Sequence, residues 1–228
     1  LQEYESIYQQ LSHISPFREY YNEGAFQVEL IRFIFTLKTL GSIDTKELAN
    51  LNKSDLIEQA RIFYKDYYAP IDLQLFARLM TEFDRNIAPE YQPEYYKKLK
   101  KQYKNDFAKI GEFIFSKSVF TDSTKLIKLI SEFTPNMAKN IAKDPAYMLY
   151  SQLKDMYDNK IQPQFRVLED KLPAINKQFL EGLRKMQPEK LFYPDANSTF
   201  RIAYGQVRGY SPKDAVSYNW RTTLTGIM

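Results

Sequence analysis

The chain has 228 residues and a formal net charge of +4, and it contains no cysteine. The absence of cysteine excludes a disulfide framework, a thiolate nucleophile and a thiolate metal site. Hydrophobic residues make up 44% of the chain, enough for a packed core, but no apolar run approaches the roughly 20 residues of a membrane-spanning helix, so we expect a soluble domain.

Helical periodicity runs from the first residue to about position 190. Because apolar residues recur every three or four positions, we predict helices over 1–12, 25–40, 54–68, 71–86, 95–120 and 122–133, and a short one from Pro135. We expect Pro16 to end the first helix and Gly41 to cap the second. The segment 25–40 is apolar nearly all round, which predicts that it is the most buried helix. Ser54 and Asp55 are expected to cap the next helix.

The longest predicted helix runs from Asp144 to about Met186. Asp144 is placed to act as its N-cap, with Pro145 at the first helical position, where a proline removes no hydrogen bond. Apolar residues recur mostly at steps of three and four along its whole length, which is typical of a coiled-coil-like seam. Pro163 and Pro173 each remove an internal hydrogen bond, so we predict a long helical arm with a kink or break near each proline.

The pattern changes from helix to strand after residue 191. Two alternating runs carry the change: Phe200, Ile202, Tyr204 and Val207, and then Val216, Tyr218 and Trp220. Two strands do not form a sheet that is stable by itself in water, so we expect their partner strands to lie outside this chain. An unpaired edge from Thr199 to Val207 is then expected to promote self-association.

His13 is the only histidine of the chain, and it lies at the end of a predicted helix. A Ser-His-Asp mechanism needs an imidazole beside a nucleophilic serine, and no G-x-S-x-G elbow or glycine-rich oxyanion loop occurs in the sequence. Catalytic zinc usually takes histidines from at least two positions. We therefore interpret His13 as a helix-terminal or solvated histidine, and we predict no catalytic residue, no metal and no other cofactor in this chain.

The remaining charged residues are interpreted as solvated helix faces. Carboxylate catalysis requires two groups that converge in a cleft with separated pKa values, which a sequence cannot demonstrate. The carboxylates considered for this role are Glu23, Glu29, Asp84, Asp106, Glu112 and Glu132. The basic run from Lys97 to Lys104 covers most of a helix circumference and has acidic neighbours, so an exposed helix is favoured over a site that grips phosphates. We predict no nucleic-acid partner.

The C-terminal part also carries the longest motifs of the sequence. They are YPDANSTFR from Tyr193, the pair Tyr204 and Gly205, GYSPKDAV from Gly209, and TTLTGIM from Thr222. Together they resemble a segment of the bacterial serine exopeptidase family that includes dipeptidyl-peptidases seven and eleven. Residues 25–35 and 144–186 resemble the same family more loosely, so the resemblance extends along the chain.

The motif positions are assigned structural roles. These positions are Tyr193, Pro194, Asp195, Asn197, Tyr204, Gly205, Gly209 and Tyr210. Asp195 and Asn197 have side chains that can cap a turn and set the entry angle into a strand at Thr199. The alternative for these two residues is a contact near the cleft of a complete enzyme.

The resemblance to this family implies a fold, an activity, a location and an oligomeric state that the residues by themselves do not indicate. Members of the family have a chymotrypsin-like double β-barrel with a His-Asp-Ser triad, and a helical domain inserted in the chain covers the active-site cleft. They remove dipeptides from the N-termini of peptides in the bacterial periplasm, and they are homodimers. On this pattern residues 1–191 correspond to the helical cap and residues 192–228 to the first strands of the second β-barrel. The triad histidine and aspartate would precede Leu1, and the nucleophilic serine would follow Met228.

We therefore expect a mainly α fold: a helical bundle with a long kinked arm and a short C-terminal β segment from a truncated double β-barrel. The expected function is that of an inactive fragment of a serine-type dipeptidyl-peptidase, which restricts access to free N-termini. The first alternative is a non-enzymatic helical binding or scaffold module, which would not need the C-terminal strands. The second is an RNA-binding helical protein, whose binding would be strongly salt-dependent.

Overall fold

The computed structural model of the chain describes residues 2–43, 50–193, 198, 200 and 202–226. It divides into two compact units, Leu1–Glu181 and Gly182–Met228. The predicted mainly α fold is confirmed, with one short two-stranded sheet among the described residues. Among those residues, no helix is long and apolar enough to cross a bilayer.

Eleven α-helices occupy the described residues. They are α1 (Gln2–Glu19), α2 (Glu29–Thr36), α3 (Lys53–Asp66), α4 (Ala69–Asn86), α5 (Glu94–Gln102), α6 (Phe107–Lys117), α7 (Ser123–Ser131), α8 (Pro135–Ile141), α9 (Pro145–Met156), α10 (Gln162–Glu169) and α11 (Leu172–Met186). Single π-helical turns at Tyr20–Gly24 and Tyr157–Ile161 follow α1 and α9. In the first unit α4 packs against α6, α3 against α7, α2 against α9, and α1 against α10.

The expectation that Pro16 ends the first helix is wrong, because α1 continues to Glu19. A proline inside a helix costs about 3 kcal/mol through its missing hydrogen bond and its clash with the preceding turn. Ile14 and Phe17, on either side of Pro16, are both buried in the core. Their burial offsets that cost, since each fully buried large apolar side chain contributes roughly 1.5–3 kcal/mol.

The segment 25–40 forms three short helices instead of one. A 3₁₀ turn at Ala25–Gln27 ends at Val28, whose backbone is extended, and a second 3₁₀ turn at Lys38–Gly41 follows α2. The segment is nevertheless deeply buried, with Leu30 and Ile34 inaccessible to solvent. The apolar character of the segment therefore predicted its burial correctly, whereas the prediction of one continuous helix is wrong.

Two helix boundaries differ from those expected. Asn52 caps α3 by accepting a hydrogen bond from the Asp55 backbone N–H at 3.2 Å, in place of Ser54 and Asp55. The predicted helix 95–120 is divided between α5 and α6, because Lys104 and Asn105 adopt left-handed backbone conformations with φ of 52° and 61°. Such residues break a right-handed helix.

The predicted long helix from Asp144 is interrupted near both prolines. A π-helical turn precedes Pro163, and residues 170 and 171 form a turn before α11 and Pro173. Its apolar seam is buried as far as Leu168, and no residue of α11 is buried. The seam therefore contributes fully buried side chains as far as Leu168, and beyond it Leu172 and Ile175 of α11 pack against the core while only partly buried.

The second unit contains the sheet, a hairpin of β1 (Tyr210–Lys213) and β2 (Val216–Tyr218). The strands are antiparallel, with Tyr210 opposite Tyr218 and Lys213 opposite Val216. The strand predicted through Phe200 and Val207 is not formed by its described residues, since 202–209 have no regular structure. Alternation specifies which side chains share a face, whereas a strand also needs a neighbour for its backbone groups.

Candidate functional site

The motif residues of the second unit are largely exposed. Tyr193 and Tyr204 expose 92% and 96% of their surface, and a Cβ added at Gly205 would meet nothing within 4 Å. Pro194, Asp195 and Asn197 lie outside the described residues, so their expected turn-capping role stays a prediction. Among the described residues of their unit, these two tyrosines have no partner that would give them a structural role.

Gly209 and Tyr210 have a clear local role in the hairpin. The rings of Tyr210 and Tyr218 face each other across the two strands, with centroids 5.4 Å apart. A Cβ at Gly209 would overlap the Tyr218 carbonyl oxygen, so the close approach of the two chains requires glycine at this position. Ala215 turns the chain with φ of 58°. Within the hairpin, Gly209 and Tyr210 therefore contribute to the packing of the two strands.

An exposed apolar row characterises the second unit. Its large exposed side chains are Met186, Leu191, Tyr193, Phe200, Ile202, Tyr204, Val207, Tyr210, Tyr218, Trp220 and Leu224. We call residues 191–224 the C-terminal apolar segment. Large apolar side chains exposed together in one segment are typical of an interaction site. The sequence analysis singled out the C-terminal motifs and His13. Of these two regions, the C-terminal apolar segment is the stronger candidate for an interaction surface.

His13 lies on α1 in an open cleft between α1 and α10. The cleft has a volume of about 560 Å³ and is lined by Gln10, His13, Ile14, Tyr91, Pro163, Gln164, Val167 and Leu168. The exposed imidazole makes no hydrogen bond or ion pair with any described residue. It therefore has neither the orienting carboxylate nor the nucleophile that a triad requires. The geometry of the described residues gives His13 no catalytic role.

The most buried carboxylate is Asp72, which sequence reasoning did not single out. It is 3% exposed and lies in the first turn of α4. Its two oxygens accept hydrogen bonds from the backbone N–H groups of Glu29 and Leu30 at 2.8 and 2.9 Å, and from the Tyr67 hydroxyl at 3.2 Å. Asp72 thus caps the N-terminus of α2 from another helix. Burial raises its pKa despite these three hydrogen bonds.

Asp144 is a second buried carboxylate, and its predicted N-cap role is confirmed. It accepts hydrogen bonds from the backbone N–H groups of Ala146 and Tyr147 at 2.9 and 3.2 Å. It also accepts from the Ser118 hydroxyl at 2.9 Å and the Val119 N–H at 2.7 Å. Burial raises the pKa of Asp144, as it does for Asp72. Both carboxylates are saturated by donors, which is the arrangement of structural caps and not of a catalytic pair.

The basic run is partly neutralised by carboxylates. Lys100 pairs with Asp84, and Lys97 pairs with Glu94 at 2.9 Å. The Lys100 ammonium also lies 5.7 Å from the centre of the Tyr96 ring. Burial raises the pKa of the neighbouring Tyr95 to about 12. Lys97 and Lys100 are therefore held by carboxylates of the chain, whereas Lys98 and Lys101 are exposed.

In the described part of the chain, no group of three or more histidine, aspartate or glutamate side chains converges in a way that could hold a metal ion. The chain contains no cysteine that could add a ligand. The described residues therefore bring together helix caps, the cleft around His13 and an exposed apolar segment.

Comparisons with known proteins cover the whole chain. The family model described as Peptidase S46 matches residues 1–228. The chain is 30% identical over 230 residues to the Asp/Glu-specific dipeptidyl-peptidase of Flavobacterium psychrophilum, covering 99% of this chain and 31% of that protein. It is 32% identical over 167 residues to dipeptidyl-peptidase 7 of Porphyromonas gingivalis, covering 72% of this chain and 23% of that protein.

Solved structures have the same fold. The crystal structure of DPP11 from Porphyromonas endodontalis matches with a TM-score of 0.68 and 21% identity, covering 99% of this chain and 32% of that one. DPP11 in complex with the dipeptide Arg-Glu matches with a TM-score of 0.64 and 20% identity, covering 99% of this chain and 33% of that one. At this level of identity the likeness establishes the fold. The chain spans about a third of the length of these relatives.

Proposed function

The chain belongs to the Peptidase S46 family, and from this membership we propose that it is part of a serine-type dipeptidyl-peptidase that releases dipeptides from the N-termini of peptides. The observation that carries the proposal is the family match along residues 1–228. Relatives that align with most of this chain bear the names Asp/Glu-specific dipeptidyl-peptidase and dipeptidyl-peptidase 7. Both names specify a dipeptidyl-peptidase, and the first adds a specificity for Asp or Glu.

Within this enzyme the chain serves as a cap over the active-site cleft. Residues 1–191 are assigned to the helical cap domain and residues 192–228 to the first strands of the second β-barrel. The assignment is supported by the helical first unit and by the absence of a catalytic constellation among the described residues around His13, Asp72 and Asp144. The triad belongs to other parts of the peptidase, and this chain by itself is inactive.

The C-terminal apolar segment joins the cap to the catalytic body. Tyr204 and Val207 are exposed although both are apolar, and residues 202–209 lack a strand partner in the second unit. A β-barrel supplies what this segment lacks, because its strands pair the backbone groups and its core covers the side chains. On this proposal, the segment with alternating apolar residues forms a strand only when the rest of the barrel is present.

The chemistry of the whole enzyme is acyl transfer. A serine attacks the second peptide bond of the substrate, a histidine moves the proton from the serine to the leaving amine, and backbone N–H groups stabilise the oxyanion. The contribution of the cap is geometric. By closing one end of the cleft it admits a free N-terminus and two residues, orients the peptide and excludes water. The substrates are peptides with a free N-terminus, and the enzyme acts as a homodimer in the periplasm.

The test compares free and blocked substrates of the full-length protein. A panel of fluorogenic dipeptides with free N-termini is assayed beside the same dipeptides carrying an N-terminal acetyl group. We expect release of the fluorophore only from the free forms, and no release by the 228-residue chain assayed by itself. The same panel identifies the side chain preferred at the cleaved position.

Each outcome has a distinct meaning. Equal cleavage of acetylated and free substrates would contradict the role of the cap in selecting a free N-terminus. Activity of the 228-residue chain would contradict the assignment of the triad to other segments. No cleavage by the full-length protein would favour the non-enzymatic helical binding module.

A further inference from the structure

A concave cleft lies where the end of α6, the start of α7 and the link between α8 and α9 meet. It has a volume of about 380 Å³ and is distinct from the cleft around His13. Lys117, Lys125 and Lys143 contribute to its lining together with Ser116, Asn140 and Asp144. We call these six residues the lysine cleft. Three of its side chains are cationic and one is a carboxylate.

The carboxylate of Asp144 forms no ion pair with the described lysines of the lysine cleft. Asp144 is buried, and its oxygens accept four hydrogen bonds. Its Oδ1 accepts from Ser118, Ala146 and Tyr147, and its Oδ2 accepts from Val119. These bonds hold the end of α6 against the start of α9.

Two of the three lysines are available to a ligand. Lys125 pairs with Asp122, which is the N-cap of α7, at 2.9 Å. Lys117 and Lys143 are exposed, and neither forms an ion pair with a described residue. The cleft therefore offers two ammonium groups that have no ion-pair partner among the described residues, beside the Asn140 side-chain amide.

A purely local explanation accounts for each lysine but not for their convergence. Lys117 is the last residue of α6, and Lys143 follows the last turn of α8. Cations are favoured at helix C-termini, where the unpaired carbonyl groups carry partial negative charge. This effect places one lysine at each helix end, but it does not require that both side chains line one concave surface.

We propose that the lysine cleft binds an oxyanion, with Lys117 and Lys143 as the principal cationic contacts and Asn140 as an additional donor. An ammonium group is a compact charge with three donors and no preferred plane, which suits the oxygens of a phosphate or of a carboxylate. The two sources of such a group are free phosphate and the acidic side chains of a peptide. Binding at this cleft is independent of the peptidase reaction.

The test measures binding by isothermal titration calorimetry on the full-length protein at constant ionic strength. The two probes are inorganic phosphate and an acidic tetrapeptide, acetylated at its N-terminus so that an exopeptidase cannot shorten it. The test variant is Lys117→Gln/Lys143→Gln. The matched control is Lys98→Gln/Lys101→Gln, which removes the same charge from exposed lysines of α5 that do not line the cleft.

We expect saturable binding of at least one probe to the unmodified protein and to the control. In the test variant the affinity should fall about tenfold or more, because two charge-assisted hydrogen bonds are lost. The probe that binds more tightly identifies the source of the oxyanion. An equal loss of affinity in the two double variants would mean that only net charge matters, and it would overturn the proposal. The proposal would also be overturned if neither probe showed saturable binding. Circular dichroism checks that the variants are folded.

Discussion

The ring of Tyr147 lies directly against the backbone of Gly41. A Cβ placed on Gly41 would be 2.7 Å from Tyr147 Cε1 and closer still to Cζ and the hydroxyl oxygen. The Tyr147 hydroxyl donates a hydrogen bond to the Lys38 carbonyl oxygen at 2.8 Å, which fixes the ring in this position. Gly41 is therefore required because α9 packs so closely on the turn after α2, and not because its backbone is left-handed.

Replacing Gly41 by alanine should destabilise the protein. The added methyl group must displace the Tyr147 ring, and overpacking of this kind costs about 1–3 kcal/mol. Thermal unfolding followed by circular dichroism measures the loss. Gly182→Ala is the matched control, because a Cβ there meets nothing within 4 Å and the residue lies inside α11. The control should be stabilising by about 1 kcal/mol, and equal effects of the two substitutions would contradict the close packing.

Asp72→Asn should destabilise the fold by about 1–3 kcal/mol, because an amide leaves part of a buried set of donors without an acceptor. The penalty should also depend on pH. Since burial raises the pKa of Asp72, the folded protein binds its proton more readily than the unfolded chain. The stability that Asp72 contributes is therefore greatest at low pH, and it decreases as the pH rises from the usual aspartate pKa, about 3.9, towards the raised value.

Asp106→Asn provides the opposite pH dependence. The Lys109 side chain, followed by the Lys109 backbone N–H, holds the pKa of the Asp106 carboxyl below its usual range. The contribution of Asp106 is therefore present at neutral pH and is lost as the pH falls through its lowered pKa. Denaturant unfolding of both variants and of the unmodified protein over a pH series measures how the destabilisation by each substitution changes with pH. If the penalties of the two substitutions changed with pH in the same direction, the assignment of the shifts would be wrong.

Tyr150→Phe should leave the stability unchanged or raise it by up to about 1 kcal/mol, because it removes a buried polar group that is not compensated. The Tyr150 hydroxyl is buried and has no hydrogen-bond partner among the described residues. Tyr147→Phe is the comparison, since it loses the hydrogen bond to Lys38 and should cost about 1 kcal/mol. A larger loss from Tyr150→Phe than from Tyr147→Phe in denaturant unfolding would indicate a partner for the Tyr150 hydroxyl.

The two π-helical turns are joined by Tyr21 and Tyr157. Their rings stack with centroids 4.3 Å apart and planes 12° apart. We expect a coupling free energy of about 0.5–1.5 kcal/mol in a double-mutant cycle of Tyr21→Leu and Tyr157→Leu, as found for other aromatic pairs. A second cycle, of Tyr21→Leu and Tyr103→Leu, is the control, because the Tyr103 ring packs on Phe113. Additive effects in the Tyr21 and Tyr157 cycle would exclude a coupled pair.

The features predicted correctly from the sequence are those whose partners are close along the chain. Asp144, the predicted N-cap, accepts hydrogen bonds from N–H groups two and three residues later. Such caps are encoded within a single turn. The mainly α fold followed from periodicity, and the family resemblance followed from motifs of the C-terminal segment.

Several of the features that were missed depend on residues distant in sequence. Asp72 resembles an ordinary acidic residue in the first turn of a helix, and its acceptor role depends on N–H groups 42 and 43 residues earlier. Gly41 resembles a helix cap until Tyr147 is placed against it. The lysine cleft combines the ends of three helices, and no local pattern signals their convergence. The expected strand near Tyr204 requires neighbouring strands that the alternation of side chains cannot supply.

The capping of α2 by Asp72 also bears on synthesis at the ribosome. The N–H of Glu29 is made 43 residues before the carboxylate that receives it. During translation α2 therefore emerges without its cap and acquires it only after α4 has begun to appear. Since short helices have little stability by themselves, this helix should become persistent late in the emergence of the first unit, although it lies near its beginning.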